Sequence, residues 1–311
     1  MTALSSGLDY IDLQFRGRPE LIATAVLHGA AGVALLDPGP STTISTLETA
    51  LEHKGIRFRD VRHILLTHIH LDHGGATGTI LERHPHIEVL VHTRGAPHLV
   101  DPSKLISSAG RLYGQDMDRL WGEVRPVPAE RIRTLEGGEM VTAGGRELRV
   151  AYTPGHASHH VSFFDVSSRV AFVGDTAGIR RGSGIYVLPP APPPDIDLEA
   201  WRESEQRILS WVPDSLFVTH FGPYRGAHQQ FEALFEHLAE WSRIVKRLLA
   251  NESLSEEERQ RAFVEETFLE LRRRVGEGEA EDYVRAGGLN YSWQGLARYW
   301  RKQGTQAWHP R

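Results

Sequence analysis

The chain has 311 residues, 40% hydrophobic and 24% charged, with no cysteine and a formal net charge of -5. This is the composition of a globular chain large enough for one big domain and a smaller one, and it excludes disulfides and thiolate metal sites. It argues against nucleic acid and against an anionic membrane as partners, since both select clustered positive charge.

No apolar run approaches the roughly 20 residues of a membrane span, and no basic-then-apolar leader opens the sequence, so a cytoplasmic protein is expected. In chain order, residues 21–27 and 32–36 read as two strands of a hairpin around a Gly/Ala turn. Ser41, Thr42 and Thr43 offer a helix N-cap, after which Ile44, Leu47, Ala50 and Leu51 repeat at helical spacing. Residues 61–66 read as a strand, 77–83 as a short helix and 87–91 as another strand. That alternation predicts helices packed against a sheet. Short strands return between 132 and 173, punctuated by Gly137-Gly138 and Gly144-Gly145. Helices outside two such sheets give an α/β fold, a four-layer αβ/βα sandwich, although periodicity alone leaves the topology open.

The run L-P-P-A-P-P-P at 188–194 reads as an extended surface loop, because proline lacks the N–H and fixes φ. Past Gly226 the pattern changes to long amphipathic helices: Phe231, Leu234, Phe235, Leu238, Trp241 and Val245 share one face. The expected organisation is a catalytic domain over 1–225 and an α-helical C-terminal domain over 226–311. Aromatics near the end (Trp293, Tyr299, Trp300) serve either to cap the core or to pair two subunits, which leaves a homodimer open.

The informative polar residues sit where apolar runs end. Leu35-Leu36 leads to Asp37; Ile64-Leu65-Leu66 leads into T-H-I-H-L-D-H-G-G, with His68, His70, Asp72 and His73. Later runs lead to His156 in T-P-G-H, to Asp175 in V-G-D and to His220 in T-H-F-G. Loops leaving one edge of a sheet can converge on a point, so seven donors can meet there. Imidazole and carboxylate suit Zn²⁺ and related divalent ions, and seven donors are enough for two ions sharing Asp175, with a hydroxide between them. Gly74-Gly75 lets the backbone pass close to the site. Asp37 is placed to accept the free ring N–H of a ligating His and fix its tautomer. His84, His86, His92, His98, His228 and His237 read as peripheral or surface residues, and His63 as exposed.

These ordered motifs resemble those of the metallo-β-lactamase-fold superfamily over residues 10–225. The resemblance implies a binuclear centre, with His68, His70 and His156 on one ion, Asp72, His73 and His220 on the other, and Asp175 bridging. Within the superfamily the chain is similar to glyoxalase II-type hydrolases and related lactonases. The second site keeps Asp72 where class B1 β-lactamases place a Cys, and the lysine and tyrosine motifs that bind glutathione have no counterpart. His160, four residues after His156, resembles the second histidine of the lactonases' G-H-x-x-x-H and would lie behind the ligands; a solvent-facing turn histidine is the alternative.

The expected function is hydrolysis of an ester, thioester or lactone by the bridging hydroxide, with Asp72 both ligand and proton carrier. The cofactor expected is two divalent ions, zinc first, with iron or manganese as alternatives. Tyr186, Tyr224 and Arg180 follow ligands closely and are candidates for contact with a small-molecule substrate. Tyr113 and the proline-rich loop are candidates for the entrance. Competing activities are phosphoester or phosphotriester hydrolysis on the same site, and a persulfide dioxygenase-type reaction at one iron.

Overall fold

The apolar runs become two six-stranded sheets in the computed structural model, which describes residues 7–181 and 186–304. The first sheet holds, in spatial order, β1 (Leu8–Asp12), β2 (Ala23–Gly29), β3 (Gly32–Leu36), β4 (Val61–Leu65), β5 (Glu88–His92) and β6 (Ile132–Leu135). Strands β1 to β3 pair antiparallel, and β3 to β6 pair parallel. The second sheet holds β7 (Met140–Ala143), β8 (Arg146–Tyr152), β9 (Val161–Asp165), β10 (Val170–Phe172), β11 (Ser215–Val218) and β12 (Gly222–Tyr224). Here only β10 and β11 pair parallel.

The helices in chain order are α1 (Ile44–His53), α2 (Leu71–Gly74), α3 (Thr77–Arg83), α4 (Ala96–Val100), α5 (Ser103–Tyr113), α6 (Met117–Trp121) and α7 (Leu198–Ser210). They continue with α8 (Ala227–Ala250), α9 (Glu256–Val275), α10 (Glu277–Gly287) and α11 (Leu289–Gln303).

Side chains alternate across each strand, and here both faces are covered, which is why the strands read as unbroken apolar runs. Ala34 and Leu36 of β3 point between the sheets, to meet Phe163, Phe172 and Phe217. Val33 and Leu35 point the other way, toward Leu47 of α1 and Ile80 of α3. Beyond the second sheet, Ala171, Val173, Leu216 and Val218 share one core with Trp201 of α7 and with Phe231, Trp241, Phe263 and Trp293 of the C-terminal helices. Enclosing a side chain such as Phe231 or Phe263 contributes on the order of 2–3 kcal/mol. The result is the four-layer αβ/βα sandwich, with the C-terminal helices forming part of its last layer. Trp293, Tyr299 and Trp300 are buried within the chain.

Several details differ from the sequence reading. Ser41–Thr43 form a 3-10 turn; Thr43 spends its hydroxyl on the Pro40 carbonyl (2.9 Å), so it makes no side-chain cap. The proline-rich loop is extended, but residues 186–191 are buried beneath α10 and α11 rather than at the surface. His92 and His237 are also buried: His92 stacks on Tyr152 (centroids 4.5 Å), and His237 Nδ1 donates to the Val187 carbonyl (2.7 Å). Helices α4 to α6 are additional to the elements expected from the sequence. Among the described residues, no helix is long and apolar enough to cross a membrane.

The sheets meet at their hairpin turns, where Ala31 N–H donates to the Gly144 carbonyl (3.1 Å), and are joined again at another edge. Ala23 N–H donates to the Thr219 carbonyl (2.9 Å) and Val161 N–H to the Thr67 carbonyl (2.8 Å), linking the segments that follow β4 and β11 to the opposite sheet. This edge carries the site.

Candidate metal centre

The chain leaves β4 through Thr67 and His68, and the single turn α2 then presents Asp72 and His73. Loops after β8, β10 and β11 bring His156, Asp175 and His220 to the same place. His68 Nε2 lies 2.9 Å from His70 Nδ1, which lies 3.0 Å from His156 Nε2. On the other side, His220 Nε2 is 3.2 Å from Asp72 Oδ2, and His73 Nε2 is 3.9 Å from it. Asp175 lies between, with Oδ2 3.4 Å from His156 Nε2 and Oδ1 3.3 Å from His73 Nε2 and 3.6 Å from His220 Nε2. The donor atoms form three compact groups: His68, His70, His156; His68, His73, Asp175; and Asp72, His73, His220.

The arrangement has the signs of a cation site. The buried His73 Nε2 and Asp175 Oδ1 face each other at 3.3 Å, and neither makes a hydrogen bond. Such groups cost about 1–3 kcal/mol each when left unmatched, and a divalent ion satisfies both. The far ring nitrogens of four of these histidines are engaged: His156 Nδ1 donates to the Pro190 carbonyl (2.8 Å) and His220 Nδ1 to the Leu21 carbonyl (2.6 Å). His73 Nδ1 donates to Asp37 Oδ2 (2.8 Å), and His68 Nδ1 to Thr67 Oγ1 (3.1 Å). A carbonyl only accepts, so the proton of each such ring sits on Nδ1 and the Nε2 lone pair faces the centre.

Asp37 organises this shell. It is wholly buried, with left-handed φ of 52°, and accepts from Thr67 N (2.8 Å), Thr67 Oγ1 (2.7 Å), Thr219 Oγ1 (2.8 Å) and His73 Nδ1. It thus supports His73 directly and His68 through Thr67. His160 is buried rather than solvent-facing; its Nδ1 lies 3.0 Å from Thr153 Oγ1 and its ring is nearly parallel to His68 at 5.0 Å. Gly174, at φ +48°, precedes Asp175 because a Cβ there would come within 2.5 Å of Thr67 Oγ1 and 2.7 Å of His160 Nε2. Gly74 and Gly75 pack against Leu66 and the Leu71 carbonyl, a helix contact rather than an approach to the donors.

The electrostatics divide the centre. Burial, reinforced by neighbouring imidazoles, holds His68 well below the ordinary histidine range and brings His70 down to about 4. Burial also lowers His156, against the pull of Asp175. For His73 and His220 the opposing effect of burial is outweighed by carboxylates, Asp175 first, and both are raised. Burial likewise resists ionisation of Asp72 and Asp175, but His73 and His220 prevail, bringing Asp72 to about 2 and Asp175 well below its usual range. At neutral pH the first trio is ready to bind without losing protons, whereas His73 and His220 are held toward the protonated form. Lowering the pH from about 8 to about 6 is therefore expected to strip the Asp72–His73–His220 position first. Equilibrium dialysis against limiting zinc should show one equivalent lost before the other; simultaneous loss would contradict the division.

The loop that fixes His156 is itself held by the C-terminal helices. Tyr283 Oη donates to the Tyr186 carbonyl (2.8 Å) and His237 to Val187, while Gly295 of α11 lies so close that a Cβ would come within 2.1 Å of the Ala191 carbonyl. Gly295→Ala is expected to cost about 1–3 kcal/mol through overpacking and to weaken binding at the His156 position by displacing Pro190. Thermal melts with and without metal would show this as a loss larger in the metal-bound protein.

A cavity of about 610 Å³ opens above the donors, floored by His70, Asp72, His156, Asp175 and His220. Tyr113 and Pro192 to Pro194 line it. Tyr186, Tyr224 and Arg180 do not. The pairing of Ile179 with Leu188 turns the segment after Asp175 back beneath α8. Tyr186 is therefore buried against His237 and Tyr283, and Arg180 lies over the Tyr224 ring while donating to Gln230 Oε1 (3.0 Å). Two cavity histidines are among the lining residues that escape the sequence reading. His98, peripheral by its place in the sequence, lines the cavity. His159, next to His160, has its ring 5.6 Å from that of His70 and a buried Nδ1 without a partner.

Comparison with known proteins agrees with this geometry. A family model for the metallo-beta-lactamase superfamily matches residues 18–229. The metallo-beta-lactamase fold-containing protein ST1585 of Sulfurisphaera tokodaii is 30% identical over 209 residues, 66% of this chain and 74% of that one. A hydroxyacylglutathione hydrolase of Buchnera aphidicola is 28% identical over 206 residues, 66% of this chain but only 63% of its own length. The crystal structure of the metallo-beta-lactamase family protein TTHA1429 from Thermus thermophilus matches with a TM-score of 0.71 at 22% identity, covering 97% of this chain and 95% of that one, a likeness of fold alone. With strands β2 to β12 and all seven donors inside the matched span, the chain belongs to the metallo-β-lactamase superfamily, among its metal-dependent hydrolases.

Proposed function

We propose that the protein hydrolyses an acyl thioester or ester, lactones included, at a pair of zinc ions held by His68, His70 and His156 on one side and Asp72, His73 and His220 on the other. The observation that carries this reading is the central position of Asp175, whose two oxygens face separate donor sets at the floor of a substrate-sized cavity. Nitrogen and carboxylate donors of this kind suit zinc, and bound divalent ions supply Lewis acidity and an ionised water near neutral pH. The chain's own contributions follow from its geometry. Asp72 is the acid that faces the cavity, its side chain 22% accessible against 5% for Asp175. Ionised at neutral pH, it accepts a hydrogen bond from the attacking water, turning a lone pair toward the carbonyl, and passes the proton to the departing sulfur or oxygen. The burial of the remaining donors keeps bulk water from competing for them. Likeness to a hydroxyacylglutathione hydrolase supports a thioester as the first bond to try.

The intact Asp72–His73–His220 group favours this reading over one-iron dioxygenase chemistry, for which those three donors would have no use. Elemental analysis followed by a panel of thioester, lactone, phosphoester and β-lactam substrates tests it. The expected result is about two ions per chain with thioester or ester turnover leading. Oxygen consumption with one iron per chain, or turnover of phosphoesters alone, would refute it.

A further inference from the structure

The cavity is larger and more differentiated than a small acyl group needs. Its 610 Å³ lies within the roughly 300–1,000 Å³ that encloses a whole small ligand. One wall is a chain of four rings contributed by four parts of the sequence. Phe15 stacks on Trp121 (centroids 5.5 Å, 11° between planes), Trp121 meets Tyr113 edge-on at 5.0 Å, and Tyr113 meets Tyr291 at 5.1 Å. Leu105 and Leu112 of α5 extend this surface, and Val284 and Ala286 at the end of α10 stand on the other side. Leu105, Leu112, Tyr113 and Tyr291 are only half-buried, so an apolar ligand along the wall removes more of their surface from water.

The charges are arranged differently. Of the two acids of the cavity outside the donor floor, Asp116 is paired with Arg119 (2.8 Å), while Asp195 accepts from Ser158 Oγ (2.5 Å) and keeps its charge. Of the cavity's cations, Arg119 and Arg285 are paired with carboxylates, whereas Arg94 and Lys104 make no ion pair among the described residues. Arg94 is steadied by the Tyr152 hydroxyl (2.9 Å) rather than by a carboxylate. Lys104 lines the cavity and is exposed, beside Ser103, Ser107 and Arg111 on the solvent-facing side of α5. Arg111 donates to Ser107 Oγ (3.2 Å), one turn away on the same exposed helix face. The site thus combines an apolar wall of rings with cations that lead to the exposed face of α5.

Resting on the hydrolase reading above, we propose that the substrate is an amphiphilic acyl thioester or ester, with an apolar acyl chain along the Phe15–Trp121–Tyr113–Tyr291 wall and a phosphate-bearing leaving group that runs out past Arg94 and Lys104 toward Arg111. The ring wall takes the acyl chain because it is apolar, and the exposed face of α5 takes the remainder because it is cationic and does not limit its length. In the reaction water adds to the carbonyl, the C–S or C–O bond breaks, and the proton goes to the leaving group, giving a carboxylic acid and a thiol or alcohol.

The test uses the metal-loaded full chain and two series of thioesters with identical acyl groups, acetyl to octanoyl, on N-acetylcysteamine (uncharged) and on coenzyme A (phosphate-bearing). The expected result is a rise in kcat/KM of about tenfold or more from acetyl to octanoyl within each series. At low ionic strength the coenzyme A thioester should lead its uncharged twin by about tenfold, mainly through KM, and salt should narrow the gap. Arg94→Glu with Lys104→Glu should erase that lead, and Leu112→Trp should shift the preference to shorter acyl groups. If a variant fails to fold, the salt dependence of the unaltered protein decides. Equal kcat/KM for the two octanoyl thioesters at low salt, or no gain with acyl length, would overturn this proposal while hydrolase activity stood. Hydrolysis of neither series by protein holding both ions would overturn the two readings together.

Discussion

Asp175→Ala is expected to abolish measurable hydrolysis and to lower the bound metal from about two ions per chain toward one. Each carboxylate oxygen of Asp175 faces a different donor set, Oδ2 toward His156 and Oδ1 toward His73 and His220. Without it His68, His70 and His156 still supply three neutral donors, enough for one ion with water completing its shell. His73 and His220 lose the charge that contributes most to opposing their burial, and the second position keeps a single carboxylate. Loss of one oriented electrostatic element commonly costs about 10²–10³ in kcat, and loss of a whole ion should exceed that. Asp175→Asn separates charge from shape, because one amide oxygen cannot serve two cations as an anion; it is expected to resemble the alanine variant in activity while folding more stably. Elemental analysis beside thioester turnover checks both, and a variant with full metal and full activity would remove Asp175 from the centre.

The donors are legible in the sequence because each follows its strand within a few residues, so local sequence alone brings it to the sheet edge. Thr67 and His68 come just after β4, and Asp175 three residues after β10. The cavity wall is not legible in the same way. Leu105, Ala109 and Leu112 have helical spacing, but nothing in that spacing says that α5 faces the donors or that Tyr291 comes to Tyr113 from far along the chain. Closeness in sequence also misleads: Tyr186, Tyr224 and Arg180 follow ligands closely, yet the Ile179–Leu188 pairing carries Arg180 and Tyr186 behind the site, and Tyr224 of β12 lies there under Arg180. His159 and His160 show how fine the distinction is. They are neighbours just before β9, where successive side chains point to opposite sides, and one lines the cavity while the other is buried behind His68. His237 reads as a surface residue from its polarity, but a carbonyl waiting at 2.7 Å makes its burial tolerable.

Asp37→Ala is expected to destabilise the fold by about 3–5 kcal/mol and to weaken metal binding by about 10- to 100-fold, most at the His73 position. The alanine strands four buried donors at once: Thr67 N–H, the Thr67 and Thr219 hydroxyls and His73 Nδ1–H. Since Thr67 follows β4 and Thr219 follows β11, the loss also loosens the seam between the sheets. Asp37→Asn isolates the effect on the metal. Its amide oxygen can still accept from Thr67 N–H and both hydroxyls can rotate, but an NH₂ facing His73 Nδ1 favours the tautomer with the proton on Nε2. That is the atom aimed at Asp175 and the cation. The asparagine variant should therefore keep most of the stability of the unaltered chain and still bind metal poorly, with the His73 tautomer visible in ¹⁵N spectra. If metal binding fell only in proportion to stability across the two variants, Asp37 would be a structural acid of the seam with no separate hold on the centre.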